Sequence, residues 1–405
     1  MLNWLQRFNT FCFLDSQSYQ SGPDSLECIV GAGTQAAFRG NKGELAGLQG
    51  FIDSRNRTIF GHLNYDFIPL NKGTRQDGLV TGSFPPCFFF EPTVLIHITA
   101  NSIAIEAGEP DMVMNEILSA TESANGDISA PPIQSRLKKA EYLSIIRQLQ
   151  QHILRGDCYE INFCQEFFAT GAVIDPLALF QRLVTLSPNP FSALYRLEDN
   201  WLLCASPERF LKKAGTRIIS QPIKGTAARI QGEPSADLQQ KDQLAQSAKD
   251  RSENVMIVDL VRNDLARICL EGSVVVDELF GIYSFPQVYQ MISTISGEVD
   301  QGKSFTEILA ATFPMGSMTG APKERVRQLI DQYENFTRGI FSGSVGYITP
   351  AGDFDLNVVI RSIIYNSTRQ YLSFPAGSGI TFYSDPELEW EECLLKAAAI
   401  RTVLG

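Results

Sequence analysis

Lys224 stands in Pro222-Ile223-Lys224-Gly225-Thr226, at the end of a stretch, Trp201 to Ile223, that reads as a hairpin turning at Ala214-Gly215. With that turn, residue 224 lies opposite 205, and Glu208 of Ser206-Pro207-Glu208-Arg209-Phe210 comes within a few residues of the amine on paired strands. A carboxyl beside an amine can move protons or support covalent chemistry. Taken alone, though, a lysine before a glycine is more often a solvated loop residue. A second acidic site is Glu253, where the charges of Lys249-Asp250-Arg251-Ser252 run into the apolar stretch from Val255 to Leu260. Solvated and buried ends of one helix explain that segment about as well as chemistry does. A third lies near the C-terminus, where Glu389, Glu392 and Lys396 fall at i, i+3 and i+7 and share a helix face. Complementing the helix dipole accounts for Asp385 and Glu387 but not for acids continuing down the face. Histidine occurs only at 62, 97 and 152, so the C-terminal half must work with carboxylates, lysine, hydroxyls or a metal held by oxygen. The eight cysteines form no CxxC pair and read as reduced core residues.

The elements that must position these groups follow from periodicity. Residues 1–125 are rich in short β-prone runs, such as Phe88-Phe89-Phe90 and Val94-Leu95-Ile96, which predict antiparallel strands. A polar stretch with a Pro pair, 121–135, reads as a linker. Beyond it, 136–405 reads as one integrated unit. Ser135 caps a helix carrying Tyr142, Ile145, Ile146, Leu149 and Ile153 at helical spacing, and Tyr159 to Phe168 forms a strand. Further helices are expected over Asp237 to Leu260, Ser304 to Thr312, from Lys323, and over Pro386 to Leu404. Further strands are expected over Phe341 to Tyr347 and Asp355 to Tyr365. Without regular βαβ alternation, the expected class is α+β, antiparallel sheets flanked by helices. The 405 residues carry 34 Lys and Arg against 45 Asp and Glu, a net −11 that is the wrong sign for a nucleic-acid binder. No stretch has the length of a membrane span, and the start lacks signal-peptide character, so a cytoplasmic location is expected.

Together these segments resemble the chorismate-binding enzymes. The resemblance is carried by Gly156-Asp157-Cys158-Tyr159-Glu160-Ile161-Asn162, SPERF at 206–210, PIKGT at 222–226 and KDRSENVMIVDLVRNDL at 249–265. FPMGSMTGAPK at 313–323, FSGSVGYI at 341–348, Ile360-Arg361, AGSGI at 376–380 and the closing acidic helix complete it. It spans most of 140–400 and implies two largely antiparallel sheets packed as a sandwich. Within the family the chain is most similar to the aminodeoxychorismate synthase branch. That branch is indicated by lysine in PIKGT, where anthranilate synthases usually carry alanine, and by Gly-Ser-Met-Thr-Gly at 316–320.

That resemblance implies a Mg²⁺-dependent exchange of the C4 hydroxyl of chorismate for an amino group, giving 4-amino-4-deoxychorismate for p-aminobenzoate and folate synthesis. Ammonia would come from a class I glutamine amidotransferase partner. Glu253 and Glu392 are the implied Mg²⁺ ligands and Glu208 the general acid. Lys224, with a depressed pKa, is the nucleophile at C2. Arg361, Lys396, Tyr347 and a small backbone nest at Gly377 to Gly379 would hold the carboxylates, with Thr226 and Thr319 as secondary contacts. Gln290 occupies a position where the family usually has histidine, and Glu160 one where amidating members usually have glutamine. Neither Glu160 nor Leu356, where threonine is common, has an explanation in the sequence. Anthranilate synthase component I and a non-catalytic chorismate-fold binding subunit are the competing readings.

Overall fold

The computed structural model describes residues 1–17, 19, 28–70, 84–121 and 131–405, so most of the expected 121–135 linker lies outside the described residues. Among those residues the strands form an 11-stranded and a 10-stranded sheet, with antiparallel pairing throughout. The strand Asn200–Ser206 shows how the layers arise. Its Trp201, Leu203 and Ala205 join a core shared with the helices Lys139–Leu154, Pro176–Leu186, Lys323–Tyr333 and Pro386–Leu404. Its Leu202 and Cys204 join the core between the two sheets. Alternate residues of a strand point to opposite faces, so one apolar strand supplies both layers. The helices Ala248–Ala266 and Phe305–Thr312 close the inter-sheet core with Ile257, Val258, Val261, Ile308 and Leu309. The expected α+β sandwich is the observed one.

Strands from 1–125 enter both sheets. Thr10–Asp15 pairs with Phe191–Leu197 in the first, and Ile59–Leu63 pairs with Ser344–Ile348 in the second. All eight cysteines are free thiols, and all but Cys269 are buried.

Several boundaries differ from expectation. The helix expected over 237–260 is two, Pro234–Gln246 and Ala248–Ala266, because Ser247 turns out of the helix and its Oγ accepts from the Asp250 N–H at 3.3 Å. Ser135 lies in a two-residue strand, and the helix after it is capped at Lys138, whose N–H donates to Glu141 at 2.8 Å. The hairpin pairs Ala214 with Arg217, so the turn falls on Gly215-Thr216, with Gly215 at φ 59. Its pairing ends at Arg209–Gln221, and Lys224 sits on the next strand, Ile223–Ala228, which pairs with Val288–Glu298. The run expected as one strand over 355–365 is two, Phe354–Asn357 in the second sheet and Ser362–Asn366 in the first.

Candidate active site

Two crossings between the sheets place the first two groups. The chain leaves the first sheet at Ser206 and enters the second at Arg209, with Glu208 between; it returns between Asn357 and Ser362, through Arg361. The crossings are tied together: the Val358 N–H donates to the Glu208 carbonyl at 3.0 Å and the Ala205 N–H to the Arg361 carbonyl at 3.2 Å. Arg361 adopts φ 51, a left-handed conformation uncommon for a side-chain-bearing residue, which the sheet switch imposes. Glu208 is buried and accepts from Ser317 Oγ at 2.5 Å. Burial raises its pKa to about 7, against the opposing pull of Ser317, Lys224, the Ile223 amide and Arg361. Burial pushes the Arg361 guanidinium down to about 10 while Glu208 acts the other way. Among the described residues no ion pair engages Arg361, which leaves its donor fork open to an anion.

Lys224 occupies a bulge where pairing shifts between Ile223 and Thr226, beside Gly225 at φ +95. Its side chain is buried, and Nζ donates to Oε1 of the fully buried Glu160, at the start of the strand Glu160–Thr170. Gly379 backs this pair, since a Cβ there would lie 2.8 Å from both Lys224 Nζ and Glu160 Oε1. Burial works to lower the lysine pKa, but the charges of Glu160, Glu253 and Glu208 and the bond to Glu160 outweigh it and hold the amine above its ordinary range. This corrects the expected depressed pKa. The reason is Glu160, whose charge neutralises the ammonium inside the protein.

Around this pair lie further carboxyls. Glu253, on the helix Ala248–Ala266, is buried, and its Oε1 has no hydrogen-bond partner. Burial, with Glu160 and Glu392 adding to it, raises its pKa to about 7 against Lys224 and Lys249. Glu389 and Glu392 come from the helix Pro386–Leu404. Glu389 is buried, accepts from Lys249 Nζ at 3.3 Å, and leaves Oε2 unpartnered. Glu392 pairs with Lys396 at 2.8 Å; burial would raise its pKa, but Lys396, Lys249 and Lys224 hold it below the usual carboxylate value. Glu253 Oε1 and Glu389 Oε2 are thus two buried carboxylate oxygens without a hydrogen-bond donor. An all-oxygen set of this kind fits a hard divalent cation completed by water and substrate oxygens. Among the described residues no cluster of three or more His, Cys, Asp or Glu forms a ready-made metal cage.

The other predicted residues divide. Lys396 Nζ also donates to the Gly377 carbonyl at 3.1 Å, which joins it to this cluster. Gly377 and Gly379 are extended strand residues within Tyr371–Ile380, which replaces the expected nest. Gly377 is bare because a Cβ would lie 2.0 Å from the Phe163 carbonyl of the neighbouring strand. Thr226 is exposed. Thr319 is buried and its hydroxyl donates to the Met315 carbonyl at 2.9 Å. Tyr347 packs on Phe60, ring centroids 6.3 Å apart, with Asp355, Arg209 and Asp353 as its charged neighbours. No contact among the described residues joins it to Lys224, Glu208 or Arg361. Gln290 is fully buried opposite Thr226, with both amide atoms unpartnered. Three site residues were not picked out in advance: Ser317, Lys249 and, as a lysine partner, Glu160; Glu389 was noted on the face of Glu392 but given no role. Spacing carries a signal for Lys249, which precedes Glu253 by four residues.

Comparison with known proteins bears on the family and the fold. Residues 15–402 match the family model described as chorismate binding enzyme. Over 267 residues the chain is 42% identical to aminodeoxychorismate synthase component 1 of Salmonella typhimurium, and over 267 residues 40% identical to the Escherichia coli protein of that name. Each alignment covers 66% of this chain and 58% of the relative, so the chain spans less than two thirds of these relatives' length. Among solved structures, anthranilate synthase component I from Streptococcus pneumoniae superposes with a TM-score of 0.80 at 23% identity, covering 96% of this chain and 94% of that one. The menaquinone-specific isochorismate synthase from Escherichia coli gives 0.81 at 18% identity, covering 100% and 91%. These two share the fold. On the match over 15–402, the chain belongs to the chorismate binding enzymes.

Proposed function

We propose that this chain aminates chorismate at C4 to give 4-amino-4-deoxychorismate, with ammonia delivered by a glutaminase partner, for p-aminobenzoate and folate synthesis. The observation that carries the reading is the buried Lys224 amine, shared between Glu160 and the electrostatic reach of Glu208 and Glu253. Relatives at about 40% identity that bear the name aminodeoxychorismate synthase component 1 support it. Lys224 attacks C2 as a neutral amine, the ring double bond shifts, and the C4–O bond breaks. Glu208, with its pKa raised to about 7, is part protonated at neutral pH and gives its proton to the departing hydroxide. Ammonia then adds at C4, the double bond shifts back, and Lys224 leaves C2. Glu208, now a carboxylate, takes the surplus proton from the new C4 ammonium. Arg361 and Lys396 bind the substrate carboxylates, and Ser317 orients Glu208.

Glu253 and Glu392 would hold a Mg²⁺ ion, whose chemistry when bound is to clamp a substrate carboxylate and draw charge from the ring. A cytoplasmic location belongs to the same proposal; among the described residues no helix is long and apolar enough to cross a membrane. The test is incubation with chorismate, Mg²⁺ and ammonium. The expected product forms without pyruvate or a fluorescent aromatic, and Lys224→Ala abolishes its formation. Pyruvate with fluorescent anthranilate, insensitive to Lys224→Ala, would overturn the reading in favour of anthranilate synthesis. Chorismate binding without turnover would point to an inert subunit.

A further inference from the structure

The scheme above needs a neutral amine, whereas the resting structure holds Lys224 as an ammonium against Glu160. We infer that Glu160 is the base that takes the proton from Lys224 before attack on C2 and returns it when the lysine is expelled; this rests on the proposed amination. Geometry carries the inference. Lys224 Nζ donates directly to Glu160 Oε1, both side chains are buried, and Gly379 lies against both atoms with no space for even a methyl group. Glu160 is fixed by the sheet, paired with Ala321 on one side and followed by Ile161, which pairs with Ile380, on the other. Its second oxygen has no donor to hold it as a carboxylate. The charged groups facing the pair are Glu208 from the sheet crossing, Glu253 from the helix Ala248–Ala266 and Glu392 from the helix Pro386–Leu404. Among the described residues neither Lys224 nor Glu160 makes a hydrogen bond or ion pair with Glu253 or Glu392.

The protons balance. Ammonium and carboxylate become amine and carboxylic acid inside the pair, a charge-neutral form that a dry, substrate-filled site favours. The amine makes the C2–N bond while Glu208 protonates the leaving hydroxide. When ammonia has added at C4 and the C2–N bond breaks, the free amine recovers the proton from Glu160. The supply of nucleophile through the pair is then independent of bulk pH while the pair holds one exchangeable proton. With glutamine at 160 the amine must lose its proton to solvent, and its supply rises tenfold per pH unit until it titrates.

The experiment compares wild type, Glu160→Gln and Glu160→Asp in kcat/KM for chorismate at fixed free ammonia. Below about pH 7, where Glu208 stays protonated, the wild type should be flat, Glu160→Gln should climb with unit slope, and Glu160→Asp should flatten the profile again. Equal slopes in all three proteins would overturn the inference. A second arm needs no turnover: ¹⁵N NMR of the Lys224 Nζ, assigned with Lys224→Arg, in protein free of divalent cations. The expected result is a titration midpoint at least one pH unit lower in Glu160→Gln; an unchanged midpoint overturns the inference. If wild type makes no product, the amination reading fails, while the NMR arm still decides whether Glu160 holds the lysine proton.

Discussion

Replacing Glu208 by glutamine should make the protein more stable and less active, with the gain growing as pH rises. The unfolded chain ionises this carboxyl at 4.5 and the folded chain at about 7, so folding takes up a proton across that interval. A raised acid contributes its stability fully below the unfolded value and loses it as pH climbs through the folded one. At about 1.4 kcal/mol per unit the cost is under about 1 kcal/mol at pH 5 and about 3 kcal/mol at pH 8. Glutamine keeps the shape and an oxygen for Ser317 Oγ to donate to, but carries no charge. Urea unfolding of both proteins at pH 5 and pH 8 measures the difference; Glu253, raised in the same way, is present in both and cancels. Glu208→Gln should exceed wild type by about 3 kcal/mol at pH 8 and by about a third of that at pH 5, while turnover falls by roughly 10²–10⁴. A stability gap that does not change with pH would refute the argument, because it would mean that Glu208 is not buried as a reluctant anion.

Gly379→Ala would put a methyl 2.8 Å from both Lys224 Nζ and Glu160 Oε1, so both side-chain ends must shift away from the strand. The two can move as a pair, so the expected loss is that of overpacking a buried site, about 1–3 kcal/mol, and no loss by thermal unfolding would show that the site has room for the methyl. Removing divalent cations with EDTA should abolish turnover and Mg²⁺ should restore it. Glu253→Gln should raise the Mg²⁺ needed for half-maximal rate roughly tenfold or more, and an unchanged Mg²⁺ titration would rule Glu253 out as a ligand.

How much of this was legible depends on whether a feature is set locally. Alternation in Asn200–Ser206 and helical spacing in Pro386–Leu404 are local, and both elements were visible in the sequence. The crossing at 358–361 was not. Val358, Val359 and Ile360 are β-prone and read as strand, and only the second sheet makes it favourable to bend there and bury Val358 and Val359 between the layers, with Ile360 partly covered. Gly377 is a similar case, because its bareness answers the Phe163 carbonyl on another strand rather than a substrate carboxylate. The chemical types at Glu208, Lys224, Glu253 and Glu392 were legible from motif, but the charge state of Lys224 was not. It is set by Glu160, 64 residues away in sequence, and no spacing rule reaches that far.

Charge also explains why the cluster carries more acid than its lysines can neutralise. Lys224, Lys249 and Lys396 are paired with Glu160, Glu389 and Glu392, Lys249 also lies 3.9 Å from Glu253, and Arg361 is the cation without an ion pair among the described residues that faces Glu208. Burial raises the pKa of both Glu208 and Glu253 to about 7, and for Glu253 the neighbouring Glu160 and Glu392 add to it. A substrate bringing two more carboxylates would drive them further toward the neutral acid. For Glu208 that is useful, since a general acid must carry its proton. For Glu253 it is not, because a protonated carboxyl is a poor ligand. A divalent cation resolves the conflict by lowering the Glu253 pKa and balancing the substrate charge together. Cation and substrate therefore favour each other's binding, and each should tighten the other by the same factor.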